Sequence, residues 1–390
     1  MEIKTSKKMN AFETLIFTEL AYHKKRKMRE GIDIIDLSVG SPDAPPPEFI
    51  RNILSKAVLN ENEYGYSLSG SHEFHLAVCQ YYHRKFQVDL NPSTEVIQTM
   101  GSQDGLVHFP MAFVNEGDIV LLPDPGYPAY EAGAKLAGAT IYPLPLLERN
   151  SFLPDLDHIP SEIAEKAKML ILNFPGNPVP ALATKAFFEK VVRFAKQYQI
   201  MVVHDFAYSE LIFDGRKGIS FLSVEGAKDV GVEFNSLSKS FNMAGCRIGY
   251  IVGNEEIIRQ FARFKSNLDY GVFAPIQRAA AAALTDGDQF LDLNRSMYEK
   301  RRDLLADGLK AIGWDVEAPK ATMFMWAKIP KPIKSREFAL ELIERAGVVV
   351  TPGSAFGQYG EGYVRIALVQ PEARLKEAVE RIDRSGLIRV

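Results

Sequence analysis

The apolar positions of this chain change period along its length, and each change marks a different kind of element. From residue 11 to 31 they recur on one face among lysines and arginines (Leu15, Ile16, Leu20, Met28), which predicts an amphipathic helix. Ile32 to Val39 then reads as a strand ending in Gly40-Ser41-Pro42-Asp43. Pro42 and Pro45-Pro46-Pro47 predict a stiff crossing, because each proline fixes its own φ and restricts the residue before it. From Val96 onward, short apolar runs alternate with helical stretches, the pattern of a mostly parallel sheet covered by helices. The predicted strands are Val96 to Thr99, Ile119 to Leu122, Thr140 to Leu144, Met169 to Asn173, Met201 to His204, Val232 to Ser236 and Ile248 to Gly253.

After about residue 288 the pattern becomes a long charged amphipathic helix, to about 312, carrying Phe290, Leu291, Met297, Leu304, Leu305 and Leu309. Strands follow at Thr322 to Ile329, Val348 to Val350 and Tyr363 to Leu368, with helices around Phe338 to Ala346 and Glu372 to Asp383. The expected fold class is therefore α/β, a mostly parallel central sheet flanked by helices plus a smaller α+β domain. The expected division is 46–285 for the large domain and 286–390 for the small one, with 1–45 packing against the small domain.

Composition narrows the picture. With 390 residues, 46% of them hydrophobic and 24% charged, the chain can bury a large core in more than one domain. A formal charge of -3, with both signs intermixed, leaves no basic footprint for nucleic acid. No apolar run is long enough for a signal peptide or a membrane span, so a cytoplasmic protein is expected. Cys79 and Cys246 are too few for a disulfide framework and are read as reduced structural thiols. His72, His75 and His83 fall on one predicted helix, but no carboxylate or cysteine completes a zinc spacing, and they are expected at the surface.

The chemistry concentrates at strand ends. The run Ser236-Leu237-Ser238-Lys239 delivers two hydroxyls and an amine, and Arg247 follows eight residues after the lysine between Gly245 and Gly249. The amine can form a Schiff base, Ser236 and Arg247 can take phosphate oxygens, and the glycines permit close backbone approach. Together these suit a phosphorylated carbonyl compound. Gly101-Ser102-Gln103 opens a helix after a strand, so Ser102 and Gln103 are phosphate candidates at a helix N-terminus, with Ser102 as a simple cap the alternative. Asp205 ends a buried strand, where a carboxylate is costly unless a cation such as a protonated pyridine nitrogen balances it; a helix cap is the alternative, with His204 in the core. Arg365, inside the apolar strand Tyr363 to Ala367, offers a two-pronged grip on a carboxylate.

On these motifs the sequence resembles the class I/II aminotransferases of fold type I, whose cofactor is pyridoxal 5'-phosphate (PLP), over nearly the whole chain. The S-x-S-K and G-x-R-x-G elements match Ser236 to Gly249, and Lys239 takes the position of the Schiff-base lysine. Pro125-Gly126-Tyr127-Pro128-Ala129-Tyr130 resembles the P-x-Y-P-x-Y turn, which implies that Tyr127 stacks on the cofactor ring while Tyr130 packs its helix. Asn173-Phe174-Pro175-Gly176-Asn177-Pro178 is similar to N-x-P-x-N-P, with Val179-Pro180 where Thr-Gly is usual, and implies that Asn177 contacts the ring oxygen and the substrate carboxylate. Asp205 and Tyr208 fit D-x-x-Y, and the resemblance gives Tyr208 the ring oxygen and Arg365 the substrate carboxylate. Gly40 is either a plain turn glycine or the residue presenting backbone to that carboxylate. The loop Tyr64-Gly65-Tyr66 implies a homodimer in which one tyrosine, Tyr66 in preference to Tyr64, reaches the partner's cofactor phosphate.

The segment Lys265-Ser266-Asn267-Leu268-Asp269 is closest to the LL-diaminopimelate aminotransferase-like subgroup, with Tyr270 where a serine is expected. The resemblance thus implies ping-pong transamination between an L-amino acid and a 2-oxo acid, with 2-oxoglutarate among the acceptors. Methionine, alanine, aspartate or aromatic substrates remain alternatives, as does a PLP-dependent carbon-sulfur lyase. A serine hydrolase and a dinucleotide enzyme are unsupported, since neither G-x-S-x-G nor a G-x-G-x-x-G after a strand occurs.

Overall fold

The computed structural model describes residues 3–388 apart from 7, 10, 11, 13 and 14. The expected helix from residue 11 begins at Leu15 and runs to Arg29; its expected start at 11, 13 and 14 lies outside the described residues. Strand β1 is only Ile35–Asp36, shorter than the expected run from Ile32 to Val39, because its parallel partner β10 (Val348–Val349) offers just two residues before the chain turns away.

The remaining strands are β2 (Val96–Thr99), β3 (Ile119–Asp124), β4 (Thr140–Pro145), β5 (Ala167–Asn173), β6 (Met201–Asp205), β7 (Gly231–Ser236), β8 (Gly249–Gly253), β9 (Phe324–Lys328), β11 (Thr351–Pro352) and β12 (Tyr363–Ala367). Among the described residues β2 to β8 form one seven-stranded sheet in the order β2-β8-β7-β6-β5-β3-β4. The pairs from β4 across to β7 are parallel, and β8 runs antiparallel to both its neighbours. The fold is therefore α/β with a mostly parallel sheet.

Why the strands sort this way is visible in their alternation. Leu121, Leu170, Leu172 and Val202 face one layer of helices, while Val120, Met169, Ile171 and Val203 face the other. Successive residues of a strand point to opposite faces, so a strand covered on both sides is apolar over most of its length, and a buried polar residue within it, such as His204 or Glu233, needs a partner. The helix His72–Phe86 lies on the first face; there His75 is buried, not at the surface as expected, with Nδ1 3.1 Å from the Pro92 carbonyl oxygen. Its position on the buried stripe of the helix, beside Phe74 and Val78, overrides its polarity.

A further core gathers the antiparallel sheet β11-β12-β9 with the helices Asp288–Ala311, Ser335–Ala346 and Glu372–Arg384, and also takes in Leu20, Ile35 and Leu37 from the start of the chain. Asp43 is fastened to it by Arg301, whose two Nη atoms each donate over 2.8 Å to the carboxylate while Nη1 also donates to the Leu368 carbonyl at 3.1 Å. This fork ends the crossing that carries Gly40. Arg301→Met is expected to lower stability by about 2 kcal/mol, because Asp43 keeps its charge and loses its partner. Chemical denaturation checks this, and an unchanged midpoint would show that the fork holds nothing.

Candidate active site

The carboxyl ends of β5, β6 and β7 share one edge of the sheet, and their last residues, Asn173, Asp205 and Ser236, open into the same cleft of about 290 Å3. Ser236 caps the short helix Leu237–Ser240, accepting from the Ser238 N–H at 3.1 Å. One turn of that helix points Lys239 into the cleft, where Nζ donates to the Gly40 carbonyl at 2.5 Å. The turn itself is held from below by Asn294, whose amide donates to the carbonyls of Lys239 and Ser240 at 3.1 and 3.2 Å. Burial, then the charges of Arg365 and Arg247, push the Lys239 amine down to about 8, against the pull of Asp205.

Asp205 accepts from the Tyr130 hydroxyl at 2.7 Å and from the Ala207 N–H at 3.2 Å. Burial raises its carboxyl group above the usual range, and those two donors oppose the rise. Tyr130 therefore does more than pack its helix, the role expected for it: it touches Asp205, the one carboxylate lining the cleft among the described residues. Tyr127 stands edge-on to Tyr130 at 5.6 Å, and Asn173 donates to the Asp205 carbonyl at 2.7 Å while accepting from the Asn177 N–H at 2.8 Å.

Arg365 projects from the middle of β12 between two rings, with its guanidinium carbon 4.3 Å from the Phe324 centroid and 4.7 Å from that of Phe356. Nη1 donates to Asn177 Oδ1 at 2.7 Å and Nη2 to the Ser38 carbonyl at 2.6 Å, whereas buried Nε has no partner. All of these acceptors are neutral. Burial pulls the guanidinium down to about 10. On the opposite side, the helix Ser102–Phe113 starts at the cleft with Gly101 as its cap, so Ser102 is its first helical residue and not the cap. Gly101 has φ +80°, and a Cβ there would lie 2.6 Å from Arg247 Nη2, so only glycine lets the helix start and the guanidinium close on one small space. Exposed Arg247 holds the left-handed conformation at φ 51° and donates to the Ala244 carbonyl at 3.0 Å.

Of the residues expected to hold cofactor or substrate, Gly40, Ser102, Gln103, Tyr127, Asn177, Asp205, Tyr208, Ser236, Lys239, Arg247 and Arg365 line this cleft, whereas Tyr66 lies 84% exposed on the outer surface with its ring 4.7 Å from that of Tyr270, and its alternative Tyr64 is exposed as well. Phe17, Tyr130, Asn173, Phe324 and Phe356 line it as well and were not assigned to it from the sequence. For Asn173 and Tyr130 a signal existed, since both stand inside the quoted motifs. The phenylalanines carried none.

Three cations, Lys239, Arg247 and Arg365, thus face one carboxylate, with a helix N-terminus beside them. Such a cleft suits a phosphorylated aldehyde and a second, carboxylate-bearing molecule, while Asp205 suits a ring nitrogen carrying a proton. Residues 32–382 match the family described as aminotransferase class I and II, and the chain belongs to that family. It is 46% identical to the LL-diaminopimelate aminotransferase of Aquifex aeolicus over 97% of this chain and 98% of that one, and 43% identical to the one of Halothermothrix orenii over 95% and 96%. Its fold is similar to the substrate-bound BacF structure from Bacillus subtilis, with TM-score 0.95 and 39% identity over 99% of this chain and 98% of that one. It is also similar to a probable N-succinyldiaminopimelate aminotransferase from Thermus thermophilus, with TM-score 0.90 and 35% identity over 95% and 100%. The protein is a PLP-dependent aminotransferase, acting on amino acids and oxo acids.

The lowered Lys239 amine sets a pH dependence. Capture of PLP by the apoprotein should quicken about tenfold per pH unit on the acid side of the amine's midpoint and level off above about 8. Stopped-flow absorbance checks this. A rate still climbing at the same slope toward about pH 10 would mean an ordinary lysine.

Proposed function

We propose that the chain transfers the amino group of LL-diaminopimelate to 2-oxoglutarate, and that the residues of the cleft divide the work as follows. Bound PLP supplies an aldehyde for an amine and a ring that accepts the electron pair of a broken bond. Lys239 holds the cofactor's aldehyde carbon. Ser102, Gln103, Ser236 and Arg247 hold its phosphate, and Tyr127 covers its ring. Asp205 keeps a proton on the ring nitrogen, while Asn177 and Tyr208 bond the ring oxygen. Arg365, steadied by Asn177, grips the substrate's carboxylate, and the Gly40 backbone closes that end.

When the amino acid displaces Lys239, its Nζ takes the proton from the substrate's α carbon. An amine brought down to about 8 is a competent base near neutral pH, which an ordinary lysine is not. The observation that carries the reading is Arg365: a buried guanidinium, bonded only to neutral oxygens and with Nε free, stands ready for a carboxylate. The relatives support the choice of donor, since those at 42% to 46% identity are LL-diaminopimelate aminotransferases. The rings of Phe17, Phe324 and Phe356 at the cleft favour a second reading, an aromatic or methionine donor. Mixing PLP-loaded protein with single donors and no acceptor separates them by the rate at which the yellow colour bleaches. LL-diaminopimelate is expected to be fastest, and Arg365→Lys to slow it about 100-fold with PLP still bound, because lysine cannot form the two-pronged bond. No bleaching by any donor would sink the transaminase chemistry proposed for these residues.

We infer also a cytoplasmic homodimer with a large domain at 46–285 and a small one at 286–390 joined by 1–45. Pairing of β1 with β10 supports the last point. Exposed Tyr64, Tyr66, Tyr270 and Phe273 support a second copy over this face, with Tyr66 reaching the partner's phosphate. Co-refolded Lys239→Ala and Tyr66→Ala chains should regain activity that neither has alone, since each hybrid dimer holds one intact site. No recovery, with mixed dimers present, would show that the sites are not shared.

A further inference from the structure

Behind the cleft, on the opposite face of β6, lies a polar group that the reaction does not use. His204 and Glu233 are both fully buried and stand side by side on β6 and β7. His204 Nδ1 is 2.8 Å from Glu233 Oε2, and Nε2 is 3.0 Å from the Phe174 carbonyl. Aromatic rings of Phe188 and Phe206 close on the imidazole at 5.1 Å each, and Glu233 is the one charged group against it among the described residues.

The protons in this cluster follow from its acceptors. A carbonyl oxygen only accepts, so Nε2 carries a hydrogen. Glu233 receives the Tyr82 hydroxyl at 2.8 Å, the Ser220 hydroxyl at 2.9 Å and the Phe221 N–H at 2.9 Å. Ser220 Oγ already accepts from the Leu222 N–H at 3.2 Å, which leaves its hydrogen for Glu233. Three donors converging on one carboxyl group hold it as a carboxylate, so the bond from Nδ1 must also be a donated one. A neutral imidazole would instead need a carboxyl proton on Oε2, which would leave that oxygen a weaker, uncharged acceptor for the Phe221 N–H.

We propose that His204 is a permanent imidazolium, held by Glu233, and that its charge keeps the neighbouring Asp205 ionised to receive a protonated ring nitrogen. Glu233, His204 and Asp205 together carry one net negative charge, which a single pyridinium proton cancels. His204 is thus a positioning residue acting through Asp205. The inference rests on the proposed facing of Asp205 to the ring nitrogen. At Asp205 burial raises the carboxyl group, the bonds from Tyr130 and Ala207 and then the His204 charge oppose that rise, and the Glu233 charge, acting more weakly than that of His204, adds to it.

Two measurements test it. In apoprotein labelled with 15N-histidine, one of the seven histidines should show both ring nitrogens protonated and unchanged between about pH 6 and 9. That signal should vanish in His204→Gln. A His204 that titrates in this range, or holds one ring proton, overturns the proposal without recourse to any variant. Calorimetry of pyridoxamine 5'-phosphate binding in buffers of different ionisation enthalpy then counts protons at alkaline pH. Wild-type apoprotein should take up about one proton, and His204→Gln about none, because Asp205 already carries it. Equal uptake by both proteins overturns the role of His204 while leaving Asp205 opposite the ring nitrogen. No uptake by the wild type removes Asp205 from the ring nitrogen, and the proposal with it.

Discussion

The structure turns on an electrostatic imbalance: three cations and one carboxylate share a cleft cut into the edge of a dry sheet. Lys239, Arg247 and Arg365 find only neutral oxygens among the described residues, at Gly40 for the first, Ala244 for the second, and Asn177, Ser38 and Thr351 for the third. Buried cations without counter-ions are costly, and here the cost appears directly as a lysine and an arginine displaced below their ordinary ranges. Anions that bring a phosphate and a carboxylate relieve it.

The rest of the fold exists to hold that imbalance in place. Parallel strands buried on both faces are apolar over most of their length, and apart from the paired His204 and Glu233 the polar groups of β5, β6 and β7 gather toward their carboxyl ends. Asn173, Asp205 and Ser236 are the last residues of β5, β6 and β7, and each supports a different part of the cleft. The crossing from β1 is clamped at Asp43 and brings Gly40 to Lys239, while β12 brings Arg365 from the other core. Phe324 and Phe356 flank that guanidinium, and a planar cation between two rings has few ways to turn. Asn177 links the two sides, since its backbone is fixed by Asn173 and its side chain by Arg365.

What the sequence disclosed and what it hid divide along one physical line. The strands of the large sheet other than β4 were legible because buried strands write their apolar content in consecutive residues, while β4 is largely half-exposed and was legible only from its place in the alternation. The places of Asp205 at the end of β6, Lys239 just after β7 and Arg247 just before β8 were legible because strand termini can be read from the local pattern. The bond from Tyr130 to Asp205 joins residues that are 75 positions apart, and the rings around Arg365 come from β9 and a turn after β11. No local period announces such contacts. His75 was misplaced at the surface because polarity was given more weight than its place on a buried helical stripe, and β1 was drawn too long because its partner's length is a property of the fold. Tyr66 points outward, away from the cleft, which nothing in its local sequence indicates.

The most direct test of the central claim is to find where the cofactor attaches. Protein loaded with PLP, reduced with borohydride, digested and sequenced by mass spectrometry should carry the phosphopyridoxyl group on Lys239 alone. Attachment chiefly at another lysine, or none after loading to full yellow colour, would contradict the account of the cleft.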